Sequence, residues 1–348
     1  MKIQALTKED TSLLKGLGIF LIIMHNFCHW LPNMTKENEY TYNIHNSLSW
    51  LANLTDGGPH VILNSFSFWG HYGVSIFLFL SGYGLVKKYE SNYSSPLIFI
   101  PFMKHNYLKL WTLIVGGIIS HFALRLFLSL DFSEIKDIPL LITFCTNLIP
   151  DSNIIHGPWW FFSLIIQFYI IYSIFFYKKN QFIPYIFIAL SLLLMVFVSL
   201  YHGTSSDTLH YIRFNSFGWV LPFSLGVITS RSNYNIPIKF SLISFIIWVL
   251  CEFNAYSWLI GPFFFIFSIL PLTKIKNLWI RKSFIYLGTI SASLFLLHPF
   301  TRLVSLKILE ICDFTGAVYF SILIYLITSI VIAHVYHHFQ AKMLKFIK

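Results

Sequence analysis

Residues 13–30 read LLKGLGIFLIIMHNFCHW. From Gly16 to Met24 the stretch holds only apolar residues and glycine. Its length suits a helix that crosses a bilayer, which takes roughly 20 residues. At about 1.5 Å per residue, Lys15 and His25 stand about 15 Å apart on such a helix, half the thickness of the hydrocarbon. With Lys15 at the cytoplasmic mouth, His25 lies past the midplane. An ionisable group at that depth is costly and is a functional candidate by default. His29 follows one turn further out on about the same face. The plain alternative is a packing histidine hydrogen-bonded to a neighbouring helix.

The rest of the chain has the same character. Of 348 residues, 56% are hydrophobic and 11% charged, whereas a soluble globular chain has about a quarter charged. This excludes a disordered chain, a coiled coil and a disulfide-rich secreted module, and argues against a cytosolic enzyme. The apolar blocks have helical length and lack the alternating polarity of β-barrel strands. The fold expected is all-α, a polytopic membrane protein with a bundle of about ten transmembrane helices. They fall at 13–31, 66–86, 107–128, 159–177, 182–201, 214–230, 238–252, 256–272, 284–304 and 317–338. A further apolar stretch, 138–149, bounded by Pro139 and Pro150, is too short to span and reads as re-entrant or interfacial. The first block is followed by FCHWLPNM, which has no small-residue cleavage pattern. Composition marks no second, soluble domain.

Basic residues orient the bundle. With both termini in the cytoplasm, all but six of the 24 lysines and arginines lie on the cytoplasmic side. The six are Lys36, Arg125, Lys136, Arg213, Arg302 and Lys307. The net charge of +10 is scattered between apolar blocks and forms no stripe or arm, which argues against a nucleic-acid partner. The same map puts ten of the 14 histidines in outer loops or outer halves of helices: His25, His29, His45, His60, His71, His121, His156, His202, His210 and His298. An aqueous outer vestibule lined by groups that titrate near neutrality is one reading; interfacial histidines without function are the other. Cys28, Cys145, Cys251 and Cys312 show no CxxC or zinc spacing and read as small apolar fillers, although an oxidising compartment would permit a disulfide.

Four more segments stand out. HYGVSIFLFLSGYGLVKKYE (71–90) carries Ser81, Gly82 and Gly84, small residues that let helices approach closely. PFMKHNYLKLW (101–111) adds Lys104 and Lys109 to Lys87 and Lys88 on the cytoplasmic flank. HGPWWFFSLIIQFY (156–169) sets Trp159 and Trp160 at the outer boundary, where aromatic residues belong. ISASLFLLHPF (290–300) places His298 near the outer end of the ninth helix, before Pro299.

In this order the segments resemble the acyltransferase family 3 membrane proteins, O-acyltransferases that modify bacterial surface glycans. The features are a basic residue then an intramembrane histidine, GVxxFxxxSGY, basic residues entering helix three, PWWFF, and SxxLFLLHP. The resemblance covers almost the whole chain as a single transmembrane domain, 1–348. The family's first motif is Arg-x10-His. Here Lys15 replaces the arginine and nine residues separate it from His25, with Asn26 at the strict position. Lysine binds phosphate as a point charge, without arginine's bidentate fork.

The resemblance implies acyl transfer, acetyl by default, from cytoplasmic acyl-CoA to a hydroxyl of an exported or lipid-linked surface glycan, in the bacterial inner membrane. It implies His25 as general base, with His29 and His298 as further catalytic candidates. Lys15, Lys104, Lys109 and Ser81 are expected at the acyl-CoA (acetyl-CoA) donor, and Trp159, His156 and His71 at the glycan acceptor, within membrane lipid and with no metal. A carboxylate orienting His25 would be one of Asp56, Asp131, Asp151, Asp207 or Glu252. A transporter or flippase for a surface polysaccharide or its lipid-linked precursor would use the same vestibule without an acyl donor. Inverted halves would favour it, and no internal symmetry is visible.

Overall fold

The computed structural model describes residues 2–3, 5–57, 60–91, 96–127, 133–149, 156–232, 236–312, 314 and 316–347. The first helix, α1 (Lys8–Cys28), begins at a capping box. Thr7 Oγ1 accepts from the Asp10 amide at 3.1 Å, and the Asp10 carboxylate accepts from the Thr7 amide at 3.0 Å, so two end donors are satisfied reciprocally. After α1 come α2 (Ile44–Thr55), α3 (Val61–Trp69), a 3₁₀ turn Gly70–Tyr72, α4 (Gly73–Tyr89), α5 (Phe99–Phe127), α6 (Ile138–Thr143), α7 (Trp160–Ile171) and α8 (Ile183–His202). Then follow α9 (Asp207–Phe214), α10 (Val220–Arg231), α11 (Ile238–Cys251), α12 (Ala255–Trp258), α13 (Gly261–Ile269), α14 (Leu278–Thr289), α15 (Ser291–Ile311) and α16 (Ala317–Ile347). Among the described residues, extended pairing is confined to Lys2–Ile3 against Ile236–Pro237.

Among the described residues, six helices are long and apolar enough to cross a membrane: Lys8–Cys28, Phe99–Leu126, Gly157–Phe176, Ile183–His202, Ser291–Ile311 and Ala317–Met343. Ile238–Cys251 and Gly261–Lys274 are shorter apolar helices. Segment 138–149 forms α6 and a 3₁₀ turn, Thr146–Leu148, far short of a span. All four cysteines are free. Large apolar side chains on three helices face outward, with Leu193 66%, Ile246 59% and Val335 63% exposed. Outward apolar faces on this scale require a lipid solvent, so the chain is a multi-pass membrane protein.

The structure corrects three helix boundaries. Segment 66–86 is two helices joined by the Gly70–Tyr72 turn. Segment 256–272 divides into α12 and α13, the latter with Pro262 in its first turn, where the missing N–H costs nothing. Segment 284–304 is interrupted at Ile290, and α15 then runs on to Ile311. At this interruption the Thr289 hydroxyl bonds back to the Ile285 carbonyl at 3.0 Å. His298 therefore lies in the first half of α15 and not near its outer end. Pro299 does not end that helix.

The helices fall into two compact units. Met1–Phe99 with Gln167–Thr289 form the first, and Ile100–Ile166 with Ile290–Lys348 the second. In the first, reciprocal glycines bring helix backbones together. A Cβ on Gly16 would meet the Phe284 carbonyl oxygen at 1.8 Å, and one on Gly288 the Ser12 oxygen at 1.9 Å, across α1 and α14. Across α4 and α10, Gly82 faces the Phe223 oxygen at 2.2 Å and Gly226 the Phe79 oxygen at 2.0 Å. Gly84 meets nothing within 4 Å, so of the two glycines read as packing residues in α4 only Gly82 is one. The core between these pairs holds Leu13, Ile76, Phe79, Leu225, Phe265 and Ile266. In the second unit, α15 and α16 are joined by Ser321 Oγ–H to the Ser305 carbonyl and by Thr301 with Ser329, each at 2.6 Å.

Candidate functional site

The first unit gathers His25, His29 and His71. His25 is buried on α1, its ring centroid 5.1 Å from His29 and 5.9 Å from His71. A Cβ on Gly70 would lie 2.6 Å from His25 Cβ, so the turn before α4 can sit against the histidine only as glycine. The Phe66 and Ser67 carbonyls lie toward the His25 ring. Its Nδ1 has no hydrogen-bond partner among the described residues. His71 is tied differently: its Nδ1 lies 2.7 Å from the Phe68 carbonyl. A carbonyl only accepts, so Nδ1 carries the proton and Nε2 keeps a lone pair.

The expected carboxylate partners of His25 fall away individually. Asp56 and Asp207 are exposed, and Asp131 and Asp151 lie outside the described residues. Glu252 is 1% exposed but accepts from the Tyr72 hydroxyl. Tyr72 stacks beside His71, with centroids 4.5 Å apart. His25 is thus oriented by backbone carbonyls and neighbouring rings, and Glu252 belongs to a second layer behind His71.

The segment that follows α1, with the start of α2, closes over this layer. Tyr42 Oη–H and Ser47 Oγ–H donate to the Glu252 carbonyl at 3.2 and 2.6 Å, and Ser67 Oγ–H donates to the Thr35 carbonyl at 2.7 Å. Glu37 is buried with one oxygen accepting from Asn46 Nδ2 at 2.8 Å. Burial, then the nearby Glu252 carboxylate, pushes Glu37 from an ordinary 4.5 up to about 8. The folded state therefore holds a proton that the unfolded chain has released. Stability from this group is complete below about pH 4.5 and declines as pH rises toward 8. Glu37→Gln should flatten that decline, measured as thermal midpoints at pH 5 and pH 8.5. Equal pH slopes in variant and wild type would show that Glu37 is ionised in the fold.

The second unit holds His156, Trp159 and His298, together with His121. His121 Nδ1 and His156 Nε2 share a hydrogen bond of 3.0 Å. Burial, then His121, holds His156 well below 6.5. The His156 ring lies 4.9 Å from Trp159 and 4.7 Å from Phe300. Trp159 is 1% exposed and donates its indole N–H to the Leu296 carbonyl at 3.1 Å; Trp160 is buried too. Neither tryptophan sits at a wet boundary. Pro299 has no N–H for the Phe295 carbonyl one turn back. His298 Nδ1 fills that place at 3.0 Å. The proline thereby fixes the tautomer, and Nε2 is left buried without a partner among the described residues.

Of the expected donor residues, Lys15 and Ser81 are in the first unit and Lys104 and Lys109 in the second. The three lysines are exposed. Ser81 Oγ–H is engaged by the Phe77 carbonyl at 2.7 Å. Asn26, at the strict motif position, points its amide at the Ile22 carbonyl, 2.9 Å away. No group of three or more metal-ligating side chains occurs among the described residues. Sequence reasoning did not single out Arg213, 3% exposed, or Arg302, 7% exposed one turn after His298. Both were among the six basic residues off the cytoplasmic side, and that misfit was the available signal. No curated protein and no solved structure matches the chain. The family model described as an acyltransferase domain matches residues 10–338, nearly the whole chain. The chain belongs to that family, acyltransferase family 3, whose motifs its segments resemble.

Proposed function

We propose that this membrane acyltransferase moves an acyl group, by default acetyl, from cytoplasmic acyl-CoA to a hydroxyl of an exported or lipid-linked surface glycan. The observation that carries the reading is His25: a buried imidazole on the first spanning helix, with an unpartnered Nδ1, inside the region that the family model matches. His25 takes the acceptor hydroxyl's proton as the oxygen attacks the thioester carbon, then returns it to the leaving thiolate. The proposal includes ten spans, with both termini in the cytoplasm of a bacterial inner membrane, on the distribution of basic residues. His29 and His298 are reserve bases, and His71, His156 and Trp159 contribute to acceptor binding.

Saturable binding of acetyl-CoA by the purified full chain tests the donor. Lys104 and Lys109 hold the donor's phosphates as exposed point charges. Replacing both by glutamine should raise the donor KM several-fold at low ionic strength, and the difference should shrink as salt screens the contacts. An unchanged KM at low salt would make the two lysines topology markers only.

A further inference from the structure

A second feature of the first unit lies beside His71. A small cavity, about 10 Å³, is bordered by His71, Tyr72, Ser75, Arg213, Trp219 and Trp258. It admits one oxygen-sized group and no sugar ring. Several of its polar groups are already engaged. The Tyr72 hydroxyl donates to Glu252, His71 Nδ1–H to Phe68, and Trp219 Nε1–H to the Arg213 carbonyl at 2.6 Å. Arg213 donates Nε–H to the Glu39 carbonyl at 2.6 Å, and Nη1 lies 3.7 Å from Met195 Sδ. Its guanidinium is held over Trp258 at 4.2 Å and Trp219 at 5.1 Å.

Ser75 and Arg213 differ from the other polar groups of the lining. Ser75, 1% exposed, has no hydrogen-bond partner for its hydroxyl among the described residues. Ser224, Ser241, Ser244, Ser293 and Ser305 likewise have hydroxyls without a partner among the described residues, but of these serines only Ser75 borders the cavity. Arg213 makes no ion pair at 4 Å or less among the described residues, although the Glu39, Glu252 and Glu37 carboxylates stand near enough to favour its charge. Burial lowers Arg213 only to about 10, so it remains a cation at neutral pH. A buried cation without an ion-paired carboxylate and a buried hydroxyl without a partner among the described residues, both lining one narrow cavity, favour an oxygen there that gains negative charge.

We propose that this cavity is an oxyanion subsite, taking the carbonyl oxygen of the acyl group while Arg213 and Ser75 stabilise the charge that develops there. The inference rests on the acyl-transfer reading above. In that reaction the acceptor oxygen bonds to the acyl carbon and its proton passes to His25. The carbonyl π pair moves onto the oxygen in the cavity. Collapse returns that pair, breaks the carbon–sulfur bond, and the thiolate recovers the proton from His25. The base nitrogen and the oxyanion are then joined through one hydrogen bond and two covalent bonds. That span is compatible with 5.9 Å between the His25 and His71 rings.

The test is turnover by the purified full chain in detergent, read as thiol release from acetyl-CoA. Ser75→Ala should lower kcat about 100-fold with donor KM unchanged, the cost of losing one oxyanion donor. Its thermal midpoint should equal or exceed wild type, because the change removes an unpartnered buried hydroxyl. A merely structural serine would not separate the two readouts. Arg213→Lys keeps the charge without the fork and should also lower kcat, while Arg213→Gln should lower it further. Wild-type kcat in Ser75→Ala would overturn the proposal, as would an effect confined to acceptor KM. His25→Ala measured alongside separates the two ideas. If it abolishes turnover while Ser75→Ala does not, only the oxyanion subsite fails; if it retains turnover, the general-base reading fails.

Discussion

Replacing His25 by alanine is expected to abolish acyl transfer while leaving expression and acetyl-CoA binding intact. General-base catalysis contributes typically 10²–10⁴-fold, and no carboxylate relay stands ready to substitute, because Glu252 is engaged by Tyr72. The nearest replacement is His29, 5.1 Å away ring to ring. The measurement is specific activity of folded protein, with donor binding measured separately. A histidine that only packs would give a lower yield of folded protein at normal specific activity. If His29→Ala abolishes turnover and His25→Ala does not, the base is one turn further out than the motif implies. If neither change slows folded protein, the mechanism is wrong.

Replacing Gly82 or Gly226 by leucine should prevent recovery of folded protein. Overpacking a core commonly costs about 1–3 kcal/mol because side chains and backbone can shift. Here the new Cβ would stand 2.2 or 2.0 Å from a backbone oxygen of the facing helix, so α4 and α10 would have to separate along their contact. Gly16→Leu should do the same to α1 and α14, where the approach is 1.8 Å, and would displace the helix that carries His25. Gly84→Ala, two residues from Gly82 and open to space, provides the control. It should fold as well as wild type or slightly better, since alanine is about 1 kcal/mol more favourable than glycine in a helix. The readout is the monodisperse fraction on size-exclusion chromatography in detergent. A monodisperse Gly82→Leu protein would refute the close approach of α4 and α10.

Much of this protein was legible without coordinates. A residue's hydropathy is local, so the deficit of charge and the block lengths specified helices in a membrane, and the short segment 138–149 could be told from a span by length alone. The segment motifs, in their order, carried the family. His25 was visible because an imidazole ten residues beyond a flanking lysine has no cheap place in hydrocarbon. Gly82 and Gly84, two residues apart in one motif, could not be distinguished. Only the partner helix decides which of them faces a backbone oxygen. The interruption at Ile290 was hidden for a similar reason, because the small residues around it, Gly288, Thr289, Ser291 and Ser293, also occur within continuous membrane helices.

The carboxylate question shows the same boundary between local and tertiary information. Five acidic residues were equal candidates as partners for His25, and folding exposed two of them while pairing Glu252 with Tyr72, 180 residues away in the chain. Arg213 and Ser75 read as an outer cation and a helical serine, and nothing in their neighbours along the chain set them apart. Composition and block length by themselves determined the membrane class, and the motifs in their order carried the resemblance to the family and with it the candidate base. Tertiary structure decided which polar groups are left without a partner. That property depends on every atom within hydrogen-bond reach, and for Arg213 those atoms come from Glu39, Met195, Trp219 and Trp258, segments that meet only in the fold.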